Sequence, residues 1–87
     1  MKLKKGLILR KVANNYCVVA VGELANKFKG MINLNATGAF LFELLQKETS
    51  PEELTNKMME KYDIDKEQAS QDVSSFVEAL KGSNLVE

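Results

Sequence analysis

The chain has no histidine and no tryptophan, and only one cysteine and one proline. Without histidine the usual acid–base partner for a serine or cysteine nucleophile is missing. Any metal site would have to be built from carboxylates alone. A single cysteine excludes an internal disulfide, and Cys17, set in the apolar run Tyr16-Cys17-Val18-Val19, is expected as a buried structural thiol. There is no glycine-rich phosphate loop and no nucleophile paired with a base. The residues therefore point to a protein that is not an enzyme, with no catalytic residue, no metal and no cofactor. No apolar run approaches the ~20 residues of a membrane span. Leu7–Leu9, after the lysines of Met1–Gly6, is too short for a signal-peptide core, and no small-residue cleavage site follows. A cytoplasmic protein that does not enter a membrane is expected.

What is present fits one folded unit spanning residues 1–87. A second compact unit would have too little core of its own. With 45% hydrophobic and 28% charged residues the chain is globular rather than disordered. Net charge is zero but unevenly spread. Residues 1–30 hold seven basic residues against Glu23 alone, and residues 31–87 hold five basic against eleven acidic. Two readings stay open: solvated faces of different sign, or a basic strand region that attracts an acidic peptide.

The first 34 residues read as strands. Leu7–Ala13 and Tyr16–Val21 are rich in β-branched and aromatic residues and flank Asn14-Asn15, a pair that tolerates a two-residue hairpin turn. That turn sets Val12 opposite Cys17, Arg10 opposite Val19 and Ile8 opposite Val21. One face then carries Ile8, Arg10, Val12, Cys17, Val19 and Val21, and the other Leu7, Leu9, Lys11, Tyr16, Val18 and Ala20. Both are largely apolar, so one covers the core and the other meets a partner or a second copy. The Ile8/Val19 face is assigned to the core. Gly22 and Asn26 mark a loop, and Lys29–Leu34 reads as a third strand.

Helices follow. Asn35 suits an N-cap for a helix over Ala36–Gln46, with Phe40, Leu41, Leu44 and Leu45 facing inward and Gly38 allowing close packing. Ser50-Pro51-Glu52-Glu53 combines an N-cap serine, proline at the first helical position and a capping-box glutamate, ahead of the stripe Leu54, Met58, Tyr62. A third helix starts at Asp65, with Gln68 as reciprocal cap, inward positions Ala69, Val73, Phe76, Val77 and Leu80, and a stop at Gly82. Leu85 and Val86 are expected to fold back onto the body. The fold class is α+β: a three-stranded antiparallel sheet followed by three helices, in a winged-helix-like arrangement.

That arrangement raises DNA binding as an alternative function, as a regulatory domain. The third helix, however, carries Asp65, Glu67, Asp72 and Glu78 against Lys66 and Lys81, and an acidic helix is repelled by phosphates. No nucleic-acid partner is expected. Asp63, Asp65 and Glu67 have calcium-loop spacing but lack the mid-loop glycine and the later bidentate glutamate. A third reading is a structural subunit whose second apolar sheet face joins a larger enzyme, or a homodimer formed through that face.

Ile32-Asn33-Leu34-Asn35-Ala36-Thr37-Gly38-Ala39-Phe40-Leu41-Phe42-Glu43-Leu44-Leu45 resembles the "LNxTGxxLWxLL" segment of PqqD-like proteins, with Phe42 where many members carry tryptophan. Ser50–Leu54, Tyr62–Asp65 and Asp72–Val77 resemble the same family's second and third helices, so the likeness covers nearly the whole chain. It implies three strands followed by three helices, and a non-catalytic adaptor, a recognition element for ribosomally made and modified peptides. Such adaptors hold the leader region of a precursor peptide and present it to a modifying enzyme, often a radical-SAM protein. Products of such pathways include the quinone cofactor PQQ and cyclised peptides. The leader adds as a strand beside the third strand, in a cleft against the third helix. Carried over, the resemblance implies main-chain pairing along Lys29, Gly30, Met31, Ile32 and Asn33, with Asp72, Ser75, Phe76 and Ala79 as the helix contacts. The physics agrees, because an edge strand offers unpaired N–H and C=O groups while side-chain pockets add specificity.

Overall fold

The computed structural model covers residues 1–87. Strands β1 (Leu7–Val12), β2 (Asn15–Ala20) and β3 (Met31–Leu34) make one antiparallel sheet in the order β1-β2-β3. Helix α1 (Leu24–Lys27) lies in the β2–β3 connection, and α2 (Ala36–Leu44), α3 (Pro51–Tyr62) and α4 (Lys66–Gly82) follow the sheet. The α+β class and the sheet-then-helices order are those expected. At four residues α1 is too short to leave a periodic signal, which is why its segment reads as a loop.

The hairpin differs from expectation by its turn. Ala13-Asn14 makes the turn, Val12 pairs with Asn15, and Arg10 and Ile8 pair with Cys17 and Val19. The expected register would set buried Val18 against Lys11; the observed one sets it against Leu9, so two core side chains meet. Because side chains alternate with period two, this two-residue change leaves the membership of each face intact. It also places Ala13 at φ 57°, in the left-handed region. An L-residue there costs about 1–2 kcal/mol, against about 0.5–1 kcal/mol of extra chain entropy lost by glycine. Ala13→Gly is therefore expected to stabilise the fold by about 0.5–1 kcal/mol in urea denaturation. An unchanged midpoint would mean that the turn carries no such strain in solution.

The assignment of the core face is overturned. Val18 is buried, and Leu7, Leu9, Ile32 and Leu34 pack with it against the helices, whereas Ile8, Val12, Val21 and Met31 are exposed. The reason lies in the charges. The Ile8/Val19 face carries Arg10 at mid-strand, where burial would strand a guanidinium. The other face carries only Lys11, near the hairpin end, where its ammonium reaches solvent beside the Tyr16 ring, 6.0 Å from the centroid. Cys17 lies on the outward face yet is buried. It is small, central in the sheet and flanked across the strands by Arg10 and Asn33.

Each long helix begins at an expected cap. Asn35 Oδ1 accepts from Gly38 N (2.9 Å), Ser50 Oγ from Glu53 N (3.2 Å) and Asp65 Oδ1 from Gln68 N (2.8 Å). The Gln68 side chain does not reach back; it donates forward to Asp72 Oδ1 at 2.9 Å. On α2 Gly38, Ala39, Leu41 and Phe42 are buried, as is Leu45 at its C-cap, while Phe40 and Leu44 are half-buried. Phe40 instead sets its ring edge-on to Tyr62, with centroids 5.7 Å apart. On α4, Ala69, Val73, Val77 and Leu80 are buried and Phe76 is only partly covered. Gly82 is still helical; the reversal comes at Asn84, φ 58°, and lets Leu85 N donate to Leu80 O (2.9 Å). Leu85 is fully buried, and Val86 bridges Leu3, so the two ends of the chain lie side by side. No helix is long and apolar enough to cross a membrane.

Candidate functional site

Which main-chain groups of β3 are free follows from the hairpin. Val21 N donates to Gly6 O at 2.7 Å, so Gly6 and Val21 are a hydrogen-bonded pair. Such pairs alternate along an antiparallel ladder, so Ile8–Val19, Arg10–Cys17 and Val12–Asn15 are hydrogen-bonded too. Tyr16 and Val18 then turn their main-chain groups to the other side, toward their partners Leu34 and Ile32 on β3. Along β3, Ile32 and Leu34 are bonded to β2, whereas Met31 and Asn33 point N–H and C=O at the open edge. β1 offers the other edge, through Leu7, Leu9 and Lys11.

Beside the β3 edge lies a cleft of about 330 Å³ walled by the end of β3, the start of α2 and the middle of α4. Leu34, Leu41 and Phe76 supply its apolar surface, and Asn33, Thr37, Asp72 and Ser75 its polar rim. The close approach of α2 depends on Gly38, where a Cβ would stand 3.2 Å from that of Leu34. Asn35 Oδ1 is engaged by the helix cap. Asp72 is the only charged side chain lining the cleft, and Gln68 holds one of its oxygens. The arrangement suits an extended segment that pairs with Met31 and Asn33 and drops an apolar side chain toward Phe76, with a donor or cation near Asp72.

The sequence-derived residues fall into three groups. Asn33, Asp72, Ser75 and Phe76 come together in this cleft. Lys29, Gly30 and Met31 line a second hollow of about 550 Å³ with Val19, Ala20 and Phe28. Lys29 and Gly30 precede the strand, which starts at Met31 rather than Lys29. Ile32 and Ala79 stand apart. Ile32 turns its main chain to Val18 and its side chain to the core, and Ala79 is exposed, one turn beyond Phe76 on α4. Thr37 and Leu41 were not anticipated in the cleft. Both belong to α2, and helical spacing reports only that Leu41 faces inward, not that the rim of that face stays open.

The open edge of β3 and the helix-walled cleft thus lie side by side. The family model described as Coenzyme PQQ synthesis protein D (PqqD) matches residues 10–86, and the chain belongs to that family. No curated protein matches it. Among solved structures it resembles TbiB1 in complex with the TbiA(beta) leader peptide, with TM-score 0.76 and 21% identity over 100% of this chain and 95% of that one. It also resembles a lasso peptide synthetase B1 complexed with the leader peptide, with TM-score 0.71 and 18% identity over 97% of this chain and 93% of that one. These likenesses are of fold.

Proposed function

We propose that this protein is a non-catalytic, cytoplasmic adaptor that binds the leader region of a ribosomally made precursor peptide and presents it to a modifying enzyme of the radical-SAM or another class. The observation that carries this reading is the free main-chain edge at Met31 and Asn33, of which Asn33 borders the cleft against α4. Strand addition needs both an unpaired ladder and room for alternate side chains, and β3 has both. Family membership and the leader-peptide complexes named for the two similar structures support it. DNA binding finds no support, since α4 and its cap carry four acidic residues against two basic ones.

Titration with a candidate leader, followed by amide hydrogen exchange, tests the reading. Protection is expected to rise at Met31 and Asn33 and to stay unchanged at Ile32 and Leu34, which are already bonded. Protection gained instead at Leu7, Leu9 and Lys11 would move the site to the β1 edge, and protection at neither edge would reject strand addition.

A further inference from the structure

The free edge of β3 has a hollow at each end, and each hollow contains one charged side chain. Asn33 borders the cleft, whose sole charge is Asp72, and Met31 borders the second hollow, whose sole charge is Lys29. Asp72 is half-buried and makes no ion pair; its hydrogen-bond partner is the neutral amide of Gln68. Lys29 is exposed and makes no ion pair either. From Lys29 to Asn33 the backbone takes four residue steps, roughly 13 Å at strand spacing. An acid and a base thus stand at opposite ends of the edge, paired neither with each other nor with any other charge in the chain.

Main-chain pairing alone leaves two things undecided. A chain that slides along the edge by two residues keeps the same side chains toward the helices, so alternation does not fix its register. A backbone ladder also takes a chain in either direction, with a small preference for antiparallel. Opposite charges at the two ends remove both ambiguities for a chain that carries their complements. A slip draws each complement away from its partner, and a reversal sets like charges together. Both pairings in this sheet are antiparallel, so a strand continuing the pattern passes Asp72 first and Lys29 last.

We propose that Asp72 and Lys29 set the register and direction of the bound leader, and that the segment this edge accepts carries a basic residue followed about four residues later by an acidic one. The proposal rests on the leader-binding reading. It is tested by selecting binders from a displayed library of random short peptides. The enriched peptide is then synthesised in two forms, as selected and with its acid and base exchanged. Fluorescence anisotropy follows both forms on the parent, on Asp72→Asn, on Lys29→Gln and on the Asp72→Lys, Lys29→Glu double variant, each shown by melting to be folded. Asparagine keeps the acceptor for Gln68, so the single variants decide the matter even where the double variant does not fold. The exchange is expected to weaken binding to the parent about tenfold or more, and the double variant to restore it. Asp72→Asn is expected to cost the selected form about tenfold, and Lys29→Gln, exposed and screened, about threefold. Equal affinity of the two forms for the parent, or enriched peptides with no order of charge, overturns the proposal. Enrichment of the acid ahead of the base overturns the antiparallel direction. A selection that enriches no peptide weakened by Met31→Pro or Asn33→Pro overturns the leader-binding reading itself.

Discussion

Phe42→Ala is expected to leave the protein largely unfolded at room temperature. Phe42 is 2% exposed, in the same cluster as Leu41, Leu45, Leu54 and Leu85. Truncating such an aromatic costs ~3–5 kcal/mol in lost transfer energy and residual cavity. A domain of this length has a total stability on the order of 5 kcal/mol. Phe40→Ala makes the control. Phe40 is half-buried, edge-on to Tyr62 and beneath Lys61, whose Nζ lies 5.1 Å from the ring centroid. Its loss is expected to cost about 1–2 kcal/mol, from partial burial and one aromatic pair. Urea melts of the two variants check the ordering. Equal losses, or a folded Phe42 variant with the parent's midpoint, would show that α2 presents a different face to the core.

A proline scan of β3 is expected to separate folding from binding. Proline removes one N–H and its ring obstructs the neighbouring strand. Ile32→Pro and Leu34→Pro break the ladder to β2, and a drop of several kcal/mol in thermal or chemical melts is expected. Met31→Pro and Asn33→Pro remove outward-facing donors, so the melts should change little while leader affinity falls about tenfold or more. Folded Met31 and Asn33 variants that bind the leader as tightly as the parent would mean that main-chain pairing at this edge is not how the peptide is held.

Much of this architecture is legible in the sequence because its signals are local. Asn35, Ser50 and Asp65 mark helix starts through bonds spanning three residues. The turn and the core face are decided by distant residues. Asn14-Asn15 is the better turn by local preference, but the chain places Ala13 in a strained conformation so that Leu9 can meet Val18. Both sheet faces have an apolar majority, and only the position of Arg10 against that of Lys11 separates them. At the site, the family resemblance anticipates Asp72, Ser75 and Phe76 on α4, and the structure brings the three into one cleft. The rim supplied by Thr37 and the open parity of Met31 and Asn33 depend on where α2 and β2 come to rest, which no periodicity reports.

The shortness of β3 bears on selectivity. With four residues and two of them facing outward, the edge offers an incoming chain four main-chain hydrogen bonds. At a net of about 1 kcal/mol each they give about 4 kcal/mol, a millimolar dissociation constant before ordering of the peptide is counted. Every peptide has the same backbone, so this part of the affinity is common to all sequences and too weak to hold any of them. Burying one large apolar side chain beside Phe76 adds about 2–3 kcal/mol, enough to move binding by one to two orders of magnitude. On the proposed reading, a ladder this short would hand the choice of precursor to one or two side chains and leave the rest of the leader free to vary.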